Sequence, residues 1–236
     1  MLDVRRKSVK RELMTTPSGS VSPSRVPLSR DRVLRAAIAI ADESGIDALS
    51  MRKLGQALGV EAMSLYNHVA SKDDILSGIV DIVESGIELP SPGADWKRAL
   101  RTIAMSAHDA FERHPWAASL TLSLHGIRPA RLRYMNALLG RIREAGFSAE
   151  TTDLAYHALE SHIAGFTLWS SGLDVSDEDL PDLAAAFLED VPVTEFPYLV
   201  EHVEQHLQES SPDNPGSFAF GLDLILDGLE RMLGRS

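Results

Sequence analysis

From Ser29 onward, apolar residues recur at intervals of three and four, and no stretch alternates with period two for long enough to build a sheet. That spacing puts one apolar stripe on a helix and leaves helix-on-helix packing as the way to bury it. The chain is therefore predicted to be all-α. Gly and Pro punctuate the pattern, giving helices over 29–44, 50–58, 62–69, 72–87, 95–113, 115–125, 129–145, 149–171, 177–190, 197–208 and 217–233. Ser29, Ser50 and Ser71 each stand where a side-chain oxygen can cap the helix that follows, and Asp73 and Asp74 sit in the positive first turn after Ser71. The break Pro90-Ser91-Pro92-Gly93 divides a small N-terminal unit, 28–88, from a larger one, 94–236. Residues 1–27, rich in Ser, Thr and Pro, carry too little apolar surface to order themselves and are expected to be a disordered tail.

Composition narrows the chemistry. The chain has no cysteine, which removes disulfides, Cys-based zinc sites, iron–sulfur clusters and thiol catalysis. No apolar run approaches the roughly 20 residues of a membrane helix, and the basic start leads into Thr, Pro and Ser rather than an apolar signal core. A cytoplasmic protein with no membrane partner is expected. The net charge of −11 argues against a nucleic-acid partner only until it is divided. Residues 1–72 hold twelve Lys/Arg against seven Asp/Glu, and residues 73–236 hold eleven against twenty-seven. A basic head can bind phosphates within a Debye length while an acidic body stays off the duplex.

The informative stretch runs from Ser50 to Val69. Two short helices joined at Gly59, a residue suited to a left-handed turn, match helix-turn-helix geometry. Leu54, Leu58, Val60, Leu65 and Val69 can form a small core beneath them. The second helix, read as two turns, then shows Ala62, Met63, Ser64, Tyr66, Asn67 and His68 to the outside, sized for a major groove. Ala62 and Met63 suit a thymine methyl, whereas Arg52, Tyr66 and Lys72 suit phosphate oxygens. A purely structural hairpin in a bundle is the alternative.

Residues 30–85 resemble, well beyond that motif, the DNA-binding domain of the TetR (tetracycline repressor) family of bacterial transcription regulators. The resemblance rests on Gly45-Ile46-Asp47-Ala48-Leu49-Ser50, Arg52-Lys53-Leu54, Leu58-Gly59-Val60, Leu65-Tyr66, His68-Val69 and Lys72 followed by Ile75-Leu76. It implies a homodimeric repressor released from double-stranded operator DNA by a small molecule, with Arg52, Ser64, Tyr66, His68 and Lys72 on operator-contacting positions. Ala62, Met63 and Asn67 depart from the tetracycline-repressor pattern. An activator of the same family, or an all-α ligand-binding or enzymatic protein, remains the alternative.

More faintly, 95–171 and 217–233 are similar to the tetracycline-repressor type of regulatory domain, through Asp95-Trp96, Arg128-Pro129, Ser161-His162 and the run from Phe218 to Leu229. The tetracycline- and magnesium-gripping positions of that type fall on Glu88, Ile103, Ala107 and Leu124. Ile, Ala and Leu supply neither the hydrogen bonds nor the metal contact, so a different, largely apolar effector is expected. His162 does match a pocket position. Candidate pocket residues are Met105, His108, Phe111, Trp116, His125, Met135, His162, Phe166 and Trp169, with His162, Phe166 and Trp169 on one face of 149–171. In 217–233, Phe218, Leu222, Ile225, Leu229 and Met232 form one stripe beside Gly221, Leu224 and Gly228. That arc is too wide for one neighbour and reads as the dimer interface. No constellation selects an enzyme, and neither a metal site nor a cofactor is expected. His202 and His206 stand one turn apart, but Val203 occupies the place a zinc protease gives to Glu.

Overall fold

The computed structural model describes residues 27–91, 93–172, 180–207 and 216–234. The expected tail, and the side chain of His206, lie outside the described residues, residue 27 apart. Among the described residues there are only helices and turns: α1 (Arg30–Ser44), a single 3-10 turn (Ile46–Ala48), α2 (Met51–Leu58), α3 (Ala62–Leu65), α4 (Lys72–Ser85), α5 (Trp96–Arg113), α6 (Pro115–Ser123), α7 (Pro129–Glu144), α8 (Ala149–Gly172), α9 (Leu180–Asp190), α10 (Pro197–Leu207) and α11 (Ser217–Leu233).

The caps act as expected. The Ser29, Ser50 and Ser71 hydroxyls accept from the backbone N–H groups of Arg32, Lys53 and Asp74 at 3.1–3.2 Å. The main departure is α3, a single turn where two were expected. Beyond Leu65 the chain continues through i+3 bonds, with Tyr66 N donating to Met63 O, Asn67 N to Ser64 O and His68 N to Leu65 O. Ser71 must be extended to cap α4 (φ −161°, ψ 177°), so only five residues separate it from Leu65. A run that short, containing Asn67 and His68, does not offset the cost of a longer helix.

One apolar core cluster runs from Val33 on α1 to Leu229 on α11. The helix that carries it across is α4, which packs on α1 on one side and on α5, α6 and α7 on the other. Gly78 makes the first contact close: a Cβ there would come within 2.9 Å of both Leu34 methyls. α5 and α11 are joined by ion pairs at their solvent edge, Lys97 to Asp227 and Glu230 and Arg101 to Asp223. α8 and α11 run antiparallel, with His162 beside Phe218 and Gly221 at one end and Thr151 beside Met232 at the other. α9 and α10 form a hairpin that packs chiefly on itself.

Candidate nucleic-acid interface and regulatory body

The head is a device for holding one short segment still. Leu54 and Leu65 are fully buried and Val69 nearly so, with Leu58 and Val60 packed against them. Gly59 ends α2 in the left-handed region (φ 68°, ψ 36°), as its position predicts. Gly55 matters equally and escaped the sequence reading. A Cβ there would lie 2.9 Å from Val60 O and 3.2 Å from Ala62 N, so its lack of a side chain lets α2 lie against the start of α3. The signal that could have found it is a small residue one turn before the Gly59 cap.

With Leu65 and Val69 turned inward, the intervening side chains face out. Met63 is 75% exposed and Tyr66 46% exposed, Asn67 is exposed, and Ala62, Ser64 and His68 are half-buried. Arg52, second residue of α2, and Lys72, first residue of α4, are both exposed. The far end of the segment is tied by Asp74, which accepts from Ala70 N at 2.8 Å and from both Arg30 Nη atoms at 2.7 and 2.8 Å. The Arg30 guanidinium, helped by the Ala70 N–H, holds the Asp74 carboxyl below its ordinary range.

The pocket expectations divide. His108, His162 and Phe166 do come together, around Phe218: His108 stacks on Phe218 with centroids 3.9 Å apart, His162 stacks on its other neighbourhood at 4.7 Å, and Phe166 meets it edge-on at 5.4 Å. His162 Nε2 lies 2.9 Å from Phe218 O. His108 Nδ1 is buried without a hydrogen-bond partner, and burial pushes the ring's pKa down. Met105 lies apart, lining a polar surface cleft with Arg98 and Asp109. Phe111 and Met135 are core or core-flanking residues. Trp116 is buried at the junction of head and body, donating to Asp42 of α1 rather than facing a pocket. His125 is exposed in the α6–α7 connection. Trp169 shares its face of α8 with His162 and Phe166 yet is 73% exposed. α11 begins at Ser217 and runs antiparallel, so it supplies nothing opposite the last turns of α8.

The interface expectation is corrected in the same way. Phe218, Leu222 and Leu229 are buried in the chain's own core, and Ile225 packs against it. Gly221 makes room for His162, since a Cβ there would fall 2.5 Å from its Cε1, and not for a second chain. Gly228 and Met232 do face outward, with Leu224 and with Leu154 of α8, along an apolar groove of about 360 Å³. Phe220 is exposed one turn before Leu224. The helical period revealed an arc too wide for one neighbour but not which part of it the chain covers itself.

Comparison with known proteins agrees with this architecture. Residues 33–79 match the family model described as bacterial regulatory proteins, tetR family, and residues 89–233 match the tetracyclin repressor-like C-terminal domain. The chain is 30% identical to the HTH-type transcriptional repressor DrrR1 of Streptomyces coeruleorubidus, over 90% of this chain and 82% of that one. It is 31% identical to the class D tetracycline repressor protein of Escherichia coli, over 87% and 91%. Among solved structures, the Streptomyces coelicolor TetR family protein ActR in complex with actinorhodin superimposes with a TM-score of 0.71 at 28% identity, covering 89% of this chain and all of that one. An all-helical chain with an outward-facing turn on a helix-turn-helix and a helical body behind it, matched to both family models, belongs to the TetR family of bacterial transcription regulators.

Proposed function

We propose that this protein is a homodimeric transcriptional repressor whose hold on its operator is released when a small molecule binds the helical body. The observation that carries the reading is the segment from Ala62 to His68: Leu65 and Val69 anchor it, and Met63, Tyr66 and Asn67 stand clear of every neighbour. In this reading residues 28–88 are the DNA-binding unit and 94–236 the regulatory one. Met63 and Ala62 meet base edges, Ser64, Asn67 and His68 offer short donors and acceptors, and Arg52, Tyr66 and Lys72 hold phosphates. Dimerisation uses the outward groove of α8 and α11, and two heads then read half-sites about 34–36 Å apart. α4 is the lever, because it alone of the head's helices packs on α5 and α7. Switching from almost fully competent to almost fully incompetent needs about 5.5 kcal/mol of differential effector affinity. The names of DrrR1 and the tetracycline repressor, and ActR's complex with actinorhodin, support a ligand-responsive repressor. Among the described residues no helix is long and apolar enough to cross a membrane, which suits a protein acting on DNA in the cytoplasm.

Fluorescence anisotropy on duplex DNA from upstream of the protein's own gene tests the reading. Tight, salt-dependent binding is expected, and Lys72→Ala should reduce the salt slope by about 1 while leaving sequence preference intact. Loss of preference with Met63→Ala or Asn67→Ala is expected as well. Equal affinity of the wild type for this DNA and for random duplex would refute the reading.

A further inference from the structure

Four charges meet where α4, α6, α7 and α8 converge. The Glu84 side chain is wholly buried on α4 and that of Arg128 is 5% exposed. Glu84 accepts from Arg128 Nε at 3.4 Å and from the Thr121 hydroxyl at 3.3 Å, and Arg131 Nη1 stands 3.8 Å away. On its other side Arg131 Nη2 donates to Glu160 and to the Tyr156 hydroxyl. The second Glu160 oxygen accepts from the Tyr134 hydroxyl at 2.6 Å. Burial pushes the Glu84 pKa up, so its ionised form depends on the two arginines.

Against this group opens a cleft of about 470 Å³, within the roughly 300–1,000 Å³ of small-molecule sites. Leu122 and Leu168 form apolar walls and Ala164 and Gly165 leave the α8 side low; a Cβ at Gly165 would meet nothing within 4 Å. Arg131, Tyr156 and Glu160 make the polar end. There, both Glu160 oxygens are engaged, whereas the hydrogen bonds of Arg131 leave from Nη2 and its Nη1 lies beyond hydrogen-bonding distance of Glu84. The spare capacity is cationic and forked, which selects a planar anion.

We propose that this cleft binds a planar, largely apolar small molecule through a carboxylate seated on Arg131, and that it is the effector site of the repressor. The second half of this inference rests on the function proposed above; the binding itself does not. A carboxylate on Nη1 competes with Glu84 for the guanidinium. Glu84 belongs to α4, whose first turn holds the recognition segment through Asp74, so the ligand acts differently on the two positions of the lever. The aromatic group around Phe218 lies on the core face of α8 and the cleft on its outer face, which makes the two separable by mutation.

The test uses the full-length protein with 1-naphthoate and its neutral counterpart 1-naphthalenemethanol, read by calorimetry and by release of operator DNA. For about a dozen non-hydrogen atoms a dissociation constant on the order of 1 mM or tighter is expected, with the alcohol about tenfold weaker. Gly165→Leu fills open space in the cleft and should abolish naphthoate binding while leaving the thermal midpoint and DNA affinity unchanged. Arg131→Lys, which keeps the charge without the fork, should weaken the acid about tenfold and the alcohol little. The inference is overturned by no binding of 1-naphthoate at about ten times that concentration, by equal binding of acid and alcohol, or by unchanged naphthoate binding in Gly165→Leu. A protein that binds its operator and is released by some other compound equally well in Gly165→Leu loses the cleft and keeps the function. Naphthoate binding without operator binding has the opposite meaning.

Discussion

Asp42 on α1 and Trp116 on α6 are joined by a 2.7 Å hydrogen bond from the indole N–H to Oδ1, and His114 Nδ1 lies 2.8 Å from the same oxygen. This contact ties the first helix of the head directly to the α5–α6 corner of the body, independently of α4. Trp116 is buried, so removing the acceptor strands its N–H. Asp42→Ala is expected to cost about 1–3 kcal/mol in urea unfolding, and Asp42→Asn, which retains an oxygen, markedly less. Equal losses for the two variants would show that charge, and not the acceptor, is what matters.

Gly55 and Gly59 are required for different reasons, and alanine distinguishes them. At Gly59 an added Cβ touches nothing but the backbone is left-handed, so Gly59→Ala should cost about 1 kcal/mol. At Gly55 the backbone is ordinary helix but the Cβ meets the carbonyl of Val60 at 2.9 Å. Separating α2 from α3 should cost about 1–3 kcal/mol and weaken DNA binding in proportion to the displaced face. Thermal unfolding and operator affinity measured on both variants check this: Gly55→Ala should lose affinity at temperatures where it is still folded, Gly59→Ala should not.

His108 holds its place as a flat ring on Phe218, with Nδ1 unsatisfied and its pKa lowered by burial. An unfolded His titrates near 6.5, above the folded one, so below about pH 6.5 the unfolded state binds more protons and stability falls as the pH falls. His108→Phe keeps the stacking and removes the stranded nitrogen. It should be neutral or stabilising by about 1 kcal/mol at pH 7, with the difference growing between pH 7 and pH 5. A constant difference across that range, followed by denaturant unfolding, would remove His108 as the source.

Leu222 and Leu224 lie two residues apart on α11, one fully buried and one 55% exposed. Leu222→Ala should destabilise the fold by about 2–5 kcal/mol. Leu224→Glu should leave the helical fold intact, turn a dimer into a monomer in sedimentation, and cost operator affinity because one head reads one half-site. A Leu224→Glu variant that sediments as a dimer would place the interface elsewhere.

The parts of this protein legible in its sequence are those decided within a few residues. Ser29, Ser50 and Ser71 cap the helices they begin, Gly59 must adopt a backbone that a side chain resists, and Leu65 and Val69, one turn apart, must share a face. From these follow the all-α class, most helix ends and the outward presentation of Met63 and Tyr66. The regulatory half was less legible because its assignments depend on contacts between distant positions. Helical period shows that Phe218, Leu222 and Met232 share an apolar stripe, but only the seating of α11 against α8 puts Phe218 under His162 and leaves Met232 outside. Trp116 has an aromatic suited to a pocket until Asp42 arrives from seventy-four positions away, and Arg131 is an ordinary surface-helix arginine until Glu84 and Glu160 close on it from two other helices. A stripe states that a face must be covered; the offset and direction of the neighbouring helix, fixed only when the whole core packs, decide what covers it.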